Sequence, residues 1–222
     1  MILIPLTDAS RRPTRIPVAT AAIIAVNVLV FLLELGAGDA MVSRWSVIPA
    51  DVAAGRHWIT ILTAMFMHGS WLHIIGNMVF LWAFGPQVED LMGRGRYLAF
   101  YLLGGVIAAL AQVMADPAST VPNLGASGAI AAVMGAFLVS YPHDTIRSLL
   151  VIFVFVRVAY VPAVLLIGVW GVIQFLSLRT GAPQGGGGGV AYAAHVGGFI
   201  FGTIAARLFV RGGGDSKLEW AR

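Results

Sequence analysis

The sequence predicts an all-α polytopic membrane protein built from six transmembrane helices, and three observations carry that expectation. Of 222 residues, 59% are hydrophobic and 11% are charged, against roughly half and about a quarter in soluble domains. The hydrophobic residues are gathered in long blocks separated by short polar connectors, the pattern of bilayer spans. The blocks are also continuous, whereas the strands of a membrane barrel alternate apolar and polar residues.

In chain order, residues 1–15 form a polar N-terminal segment, 16–210 the six-span domain and 211–222 a tail. The first span runs from Ile16 to Leu35. It is longer than a signal-peptide core and no small-residue cleavage pattern follows, so it reads as a retained helix. A connector from Gly36 to Trp58 and an amphipathic approach from Ile59 to Met67 lead to the second span, Trp71 to Gln87. The third covers Tyr97 to Met114 and the fourth Ser127 to Tyr141. The apolar stretch Ser148 to Leu178 is interrupted by Arg157 and Pro162. Because proline breaks helices, the fifth span is placed at Pro162 to Leu178, with Leu149 to Val156 as an interfacial lead-in. Gln184 to Val190, with five consecutive glycines, reads as a flexible outer loop before the sixth span, Ala191 to Val210.

The net charge is +4. The basic residues flank the spans, where they set orientation and meet anionic lipid, so the expected partner is the lipid bilayer and no nucleic acid. With the first segment cytoplasmic, the inner side holds eleven of the fourteen Lys and Arg residues, leaving only Arg44, Arg56 and Arg179 outside. That bias predicts both termini cytoplasmic. The second, fourth and sixth spans then run in one direction.

Ionisable and polar side chains are costly inside a bilayer, which makes them functional candidates. His73, Asn77, Ser127 and His195 all lie near the starts of those three parallel spans. The fourth span has fifteen residues and rises roughly 22 Å, less than the hydrocarbon core, so Ser127 is expected below the outer surface. Ser127 lies in Gly125-Ala126-Ser127-Gly128. Such a turn exposes the hydroxyl and leaves the serine N–H free at a helix N-terminus, where it can stabilise an oxyanion. Taken alone, small residues that let helices pack closely are the commoner reason for this pattern. His195 lies one turn before Gly198, with Gly202 a further turn on. Alone, an interhelical hydrogen bond explains it as well as a general base does.

His73 and Asn77 are four apart and share a helical face. Both can donate to a developing alkoxide. His68 and His73 are five apart and no carboxylate is near, so no metal site is expected. His68 reads as structural, holding the loop before the second span. No carboxylate lies at the depth of His195, which favours a dyad over a triad. No cysteine is present, which excludes thiolate chemistry and disulfides. The glycine run lacks a phosphate-loop ending, and no cofactor is expected.

Together, His73-x-x-x-Asn77, Gly125-Ala126-Ser127-Gly128 and Ala194-His195-x-x-Gly198-x-x-x-Gly202 resemble the motifs of a rhomboid intramembrane serine protease. Gly85-x-x-x-Glu89-x-x-x-Gly93 resembles that family's inner connector. The resemblance covers roughly residues 16–210 and implies a rhomboid-like bundle, with Ser127 as nucleophile, His195 as base and His73 and Asn77 as oxyanion stabilisers. Two positions depart from the family pattern. Ile59-Thr60 stands where members often have Trp-Arg, and Ala131 where many place an aromatic ring against the histidine. Tyr192 or a phenylalanine of the sixth span is the expected substitute for that ring. The resemblance implies cleavage of transmembrane protein substrates near their outer ends. They would enter sideways past the fifth span and the loop from Arg179 to Val190. A bacterial-type inner membrane is the expected location. The alternative is a non-catalytic rhomboid-like protein that binds membrane helices.

Overall fold

The computed structural model describes residues 2–180 and 190–210. The glycine run and the tail from 211 lie outside the described residues. Six helices overlap the expected spans: α1 (Val18–Ala37), α5 (Trp71–Met92), α6 (Arg94–Ala115), α7 (Ser127–Ser140), α8 (Ala163–Thr180) and α9 (Tyr192–Phe209). Helix α5 runs on past Gln87 to Met92, so most of the run from Gly85 to Gly93, expected as a connector, is helix. Three short helices, α2 (Asp39–Trp45), α3 (Pro49–Ala53) and α4 (Thr60–Thr63), lie in the connector between α1 and α5. Among the described residues, α1, α6, α8 and α9 are long and apolar enough to cross a membrane by length and composition. Helix α5 is also long but carries His73, Asn77, Gln87, Glu89 and Asp90, and α7 is a shorter apolar helix of 14 residues.

Capping contacts fix which ends lie together. Pro17 precedes α1 and offers no side-chain cap. Glu89, near the end of α5, substitutes for it by accepting from the N–H groups of Ala19 (2.9 Å) and Thr20 (2.7 Å) and from Thr20 Oγ1 (2.8 Å). A carboxylate is well suited to the positive end of a helix. At this same end Gly93, with φ of 80°, closes α5 and opens α6. Arg96 donates to the carbonyl of Val210 just past α9, and the N–H of Ala163, opening α8, donates to Asp144 O beyond α7. At the opposite end Glu34 of α1 accepts from the N–H of His68, just before α5. Helices α5, α7 and α9 therefore run parallel, as the sequence analysis requires.

Helix α7 is the centre of the bundle. Eleven of its 14 residues are buried, nearly all of them Gly, Ala or other apolar residues. Small side chains let α6 and α9 approach it closely. A Cβ added to Gly198 would strike Gly128 O, and one at Gly202 would strike Ala132 O. In contrast, α8 has only Ala163, Ile167 and Gln174 buried.

The helical architecture carries an addition that the sequence analysis did not contain. Strands β1 (Ile2–Asp8), β2 (Thr145–Ile152) and β3 (Phe155–Pro162) form an antiparallel sheet in the order β1-β2-β3. Pro5 pairs with Ser148, and Thr145 with Pro162. Residues 149–156, expected as an interfacial lead-in, are thus a hairpin, and segment 1–15 is joined to the membrane domain through β1. Short runs rich in β-branched residues cannot be told from helix by periodicity alone. Pro162 does not interrupt a helix here; it ends β3 directly before α8. Arg11 clamps the base of the sheet, donating from Nη2 to Asp144 Oδ1 (2.7 Å), with a second bond from Nε to the other carboxylate oxygen. Its guanidinium also lies 4.1 Å over the Tyr141 ring.

Candidate active site

Ser127 is the first residue of α7, so its N–H has no partner within the helix. The loop leading to it is pinned from two sides. Val47 and Asn123 form an isolated antiparallel bridge, and Gly125 N–H donates to Ala64 O at 2.8 Å. Gly125 has φ of 130°, and a Cβ there would meet His73 Nε2 at 2.8 Å. Both its backbone angle and the adjoining ring therefore require glycine. The connector at the departing Ile59-Thr60 pair is held by Thr60 Oγ1 on His57 O (2.7 Å) and Thr63 Oγ1 on Trp45 O (2.8 Å).

Helix α9 brings His195 to Ser127. Ala194 N–H donates to Gln112 Oε1 of α6 at 3.3 Å, which ties down the start of α9. His195 Nε2 stands 2.7 Å from Ser127 Oγ, and His195 Nδ1 stands 2.7 Å from Gln174 Oε1 on α8. An amide oxygen only accepts, so Nδ1 carries the ring proton and Nε2 presents its lone pair to the serine O–H. The assignment follows from the hydrogen-bond network, and it is the tautomer a general base needs.

His73 and Asn77 both line a cavity of about 370 Å³ together with Ser127 and His195. Ser70 caps α5, accepting from His73 N–H at 3.2 Å, and so sets where the helix begins. Asn77 is nearly buried, and its amide nitrogen donates to His68 Nε2 at 2.8 Å. One amide hydrogen is thereby used and the second remains available. His68 is buried, with its backbone N–H on Glu34 and its ring on Asn77 and, edge to face, on His73. All four residues singled out in the sequence thus meet in one cavity.

Two residues that the sequence analysis did not single out also belong here. Gln174 is one. The other is Trp170, whose ring centroid lies 5.7 Å from that of His195. The ring beside the histidine therefore comes from α8, not from Tyr192 or a phenylalanine of the sixth span. Phe199 of that span stands behind it, 6.0 Å from Trp170. Gln174 was open to the cost argument that marks Asn77, being an amide within an apolar span. Among the described residues, no cluster of three or more His, Cys, Asp or Glu side chains could hold a metal.

A helical membrane bundle with serine and histidine converging from parallel helices is the architecture of a rhomboid-type domain. The Rhomboid domain family matches residues 55–212, and the chain belongs to the rhomboid family. Members of that family are in general intramembrane serine proteases. The chain is 29% identical over 191 residues to Rhomboid protein 1, mitochondrial, of Saccharomyces cerevisiae, covering 82% of this chain and 51% of that protein. It is 34% identical over 127 residues to Rhomboid protease GluP of Bacillus subtilis, covering 55% and 24% respectively. It is 30% identical over 185 residues to the human presenilin-associated rhomboid-like protein, mitochondrial, covering 81% and 45%. The chain thus spans about half or less of the length of these relatives.

Proposed function

We propose that this chain is an intramembrane serine endopeptidase that cleaves transmembrane protein substrates with a Ser127–His195 dyad. The observation that carries the reading is the 2.7 Å contact between Ser127 Oγ and His195 Nε2, at the N-terminus of α7. In this mechanism Ser127 attacks a substrate carbonyl as His195 Nε2 takes its proton. The developing oxyanion is met by the Ser127 N–H, Asn77 and His73, with the α7 dipole behind them. His195 then passes the proton to the leaving amine, and a water activated by the same nitrogen hydrolyses the acyl-enzyme.

The substrate is a helix whose backbone bonds are satisfied within itself, so it must unwind locally before Ser127 reaches a carbonyl. Glycine, proline or small residues near the cleaved bond favour that step. The positive-inside bias supports an orientation with both termini cytoplasmic and the cavity facing the outer side; a bacterial-type inner membrane is the proposed location.

The test is a cleavage assay in proteoliposomes with a reporter substrate whose transmembrane helix is destabilised. Wild type cuts it, and Ser127→Ala and His195→Ala do not. A fluorophosphonate labels wild-type Ser127 covalently, which separates an enzyme from a protein that only binds helices. Cleavage persisting in both variants would sink the dyad.

A further inference from the structure

We propose that Gln174 is a positioning residue for His195, completing a Ser127–His195–Gln174 relay in which α8 supplies the third member. The proposal rests on the dyad reading above. It begins from how α8 is docked. Ala163, Ile167, Trp170 and Gln174 fall on one stripe, and this is the face that meets the bundle, since Val164, Leu165, Val169, Val172, Ile173 and Leu176 are exposed. An amide in such an apolar stripe is costly unless it is hydrogen-bonded. Its Oε1 finds His195 Nδ1 at 2.7 Å.

The bond does what the third member of a triad does, with one difference. It fixes the Nδ1–H tautomer and holds the imidazole plane so that Nε2 points at Ser127. Trp170, one turn earlier on α8, lies alongside the same ring with an interplanar angle of 37°. The two contacts restrain the imidazole at its Nδ1 edge and on its face. The Ala131 position, buried and without an aromatic ring, cannot do this. A neutral amide brings no charge to the imidazolium, so its contribution lies in orientation and in one hydrogen bond that strengthens when the ring becomes charged.

The experiment measures kcat and KM for the full chain in proteoliposomes, with the reporter substrate, for wild type, Gln174→Met, Gln174→Glu and Ser127→Ala, alongside melting temperatures. Gln174→Met keeps the shape and removes the acceptor. Its kcat is expected to fall about ten- to a hundredfold, the range for a hydrogen bond to a charged group, with KM within about twofold. Gln174→Glu restores an acceptor oxygen and is expected within about threefold of wild type. A Gln174→Met enzyme within twofold of wild-type kcat overturns the proposal, as does Gln174→Glu no faster than Gln174→Met. If Gln174→Met melts early, Gln174→Glu decides alone: near-wild-type kcat upholds the relay, and a rate as low as that of Gln174→Met overturns it. Cleavage by Ser127→Ala, in contrast, defeats the dyad itself whatever Gln174 does.

Discussion

Gly198 of α9 lies against the backbone carbonyl of Gly128 in α7, with no room for a Cβ between them. Gly202 repeats the contact one turn on, against Ala132. The two helices that carry serine and histidine therefore meet backbone to backbone. Replacing Gly198 or Gly202 with alanine forces them apart, since the opposing atoms are backbone and cannot swing away. Each variant should lose more than about tenfold in kcat and melt earlier. Gly168→Ala on α8, where a Cβ meets nothing within 4 Å, is the control and should retain wild-type turnover. Wild-type kcat in Gly198→Ala would show that the spacing is not set here.

On the proposed mechanism, Asn77→Ala removes one oxyanion donor and leaves the dyad. One such donor is worth about 3 kcal/mol, so kcat should drop roughly a hundredfold without vanishing. Single-turnover cleavage is the measurement. A rate equal to that of wild type would assign Asn77 to holding His68 alone.

Glu89→Ala strips the start of α1 of its cap and leaves the Ala19 and Thr20 N–H groups without their acceptor. The expected loss is about 1–3 kcal/mol of stability, read by unfolding in mixed micelles. Fluorophosphonate labelling of the folded fraction should be unchanged, because the residues lining the cavity at Ser127 include none of α1. Loss of labelling in the folded protein would contradict this division.

Asp8 is a pH-sensitive point in the sheet. Burial, and next the neighbouring Asp144 carboxyl, push its pKa up to about 7 from an ordinary value of 3.8, although Arg11 lies close by. A carboxyl whose folded pKa is raised holds its proton longer in the native state. Stability from this group is therefore full at low pH and is lost as pH rises from about 4 to about 7. The melting temperature of wild type should fall between pH 5 and pH 8, and Asp8→Asn should flatten that slope. Equal slopes in the two proteins would remove Asp8 as the cause.

Much of this was legible in the chain because helices in lipid leave continuous apolar runs. The bounds of α7, Ser127–Ser140, differ from the expected span by one residue at its end. His73, Asn77, Ser127 and His195, which line one cavity, stood out through the cost of placing them in a bilayer. What the chain hid was pairing at a distance. Strand β1 finds its partner some 140 residues later, and β2 and β3 read as apolar lead-in because their alternation is weak. Gln174 was visible as an amide in an apolar run, but nothing local says which of its neighbours it faces. Trp170 is an aromatic residue in an apolar run, and nothing local marks the ring it faces.

The sheet also imposes an order on biosynthesis. Strand β1 leaves the ribosome before α1, α5, α6 and α7, yet its partner β2 begins only at Thr145. At about 5–20 residues per second, β1 waits on the order of ten seconds with both of its edges unpaired. The two strands can meet only if α1, α5, α6 and α7, which lie between them, return the chain to the side on which it started. Pairing of β1 with β2 thus reports on how the helices between them are arranged, and a fusion that blocks β1 would be felt only after Thr145 has been synthesised.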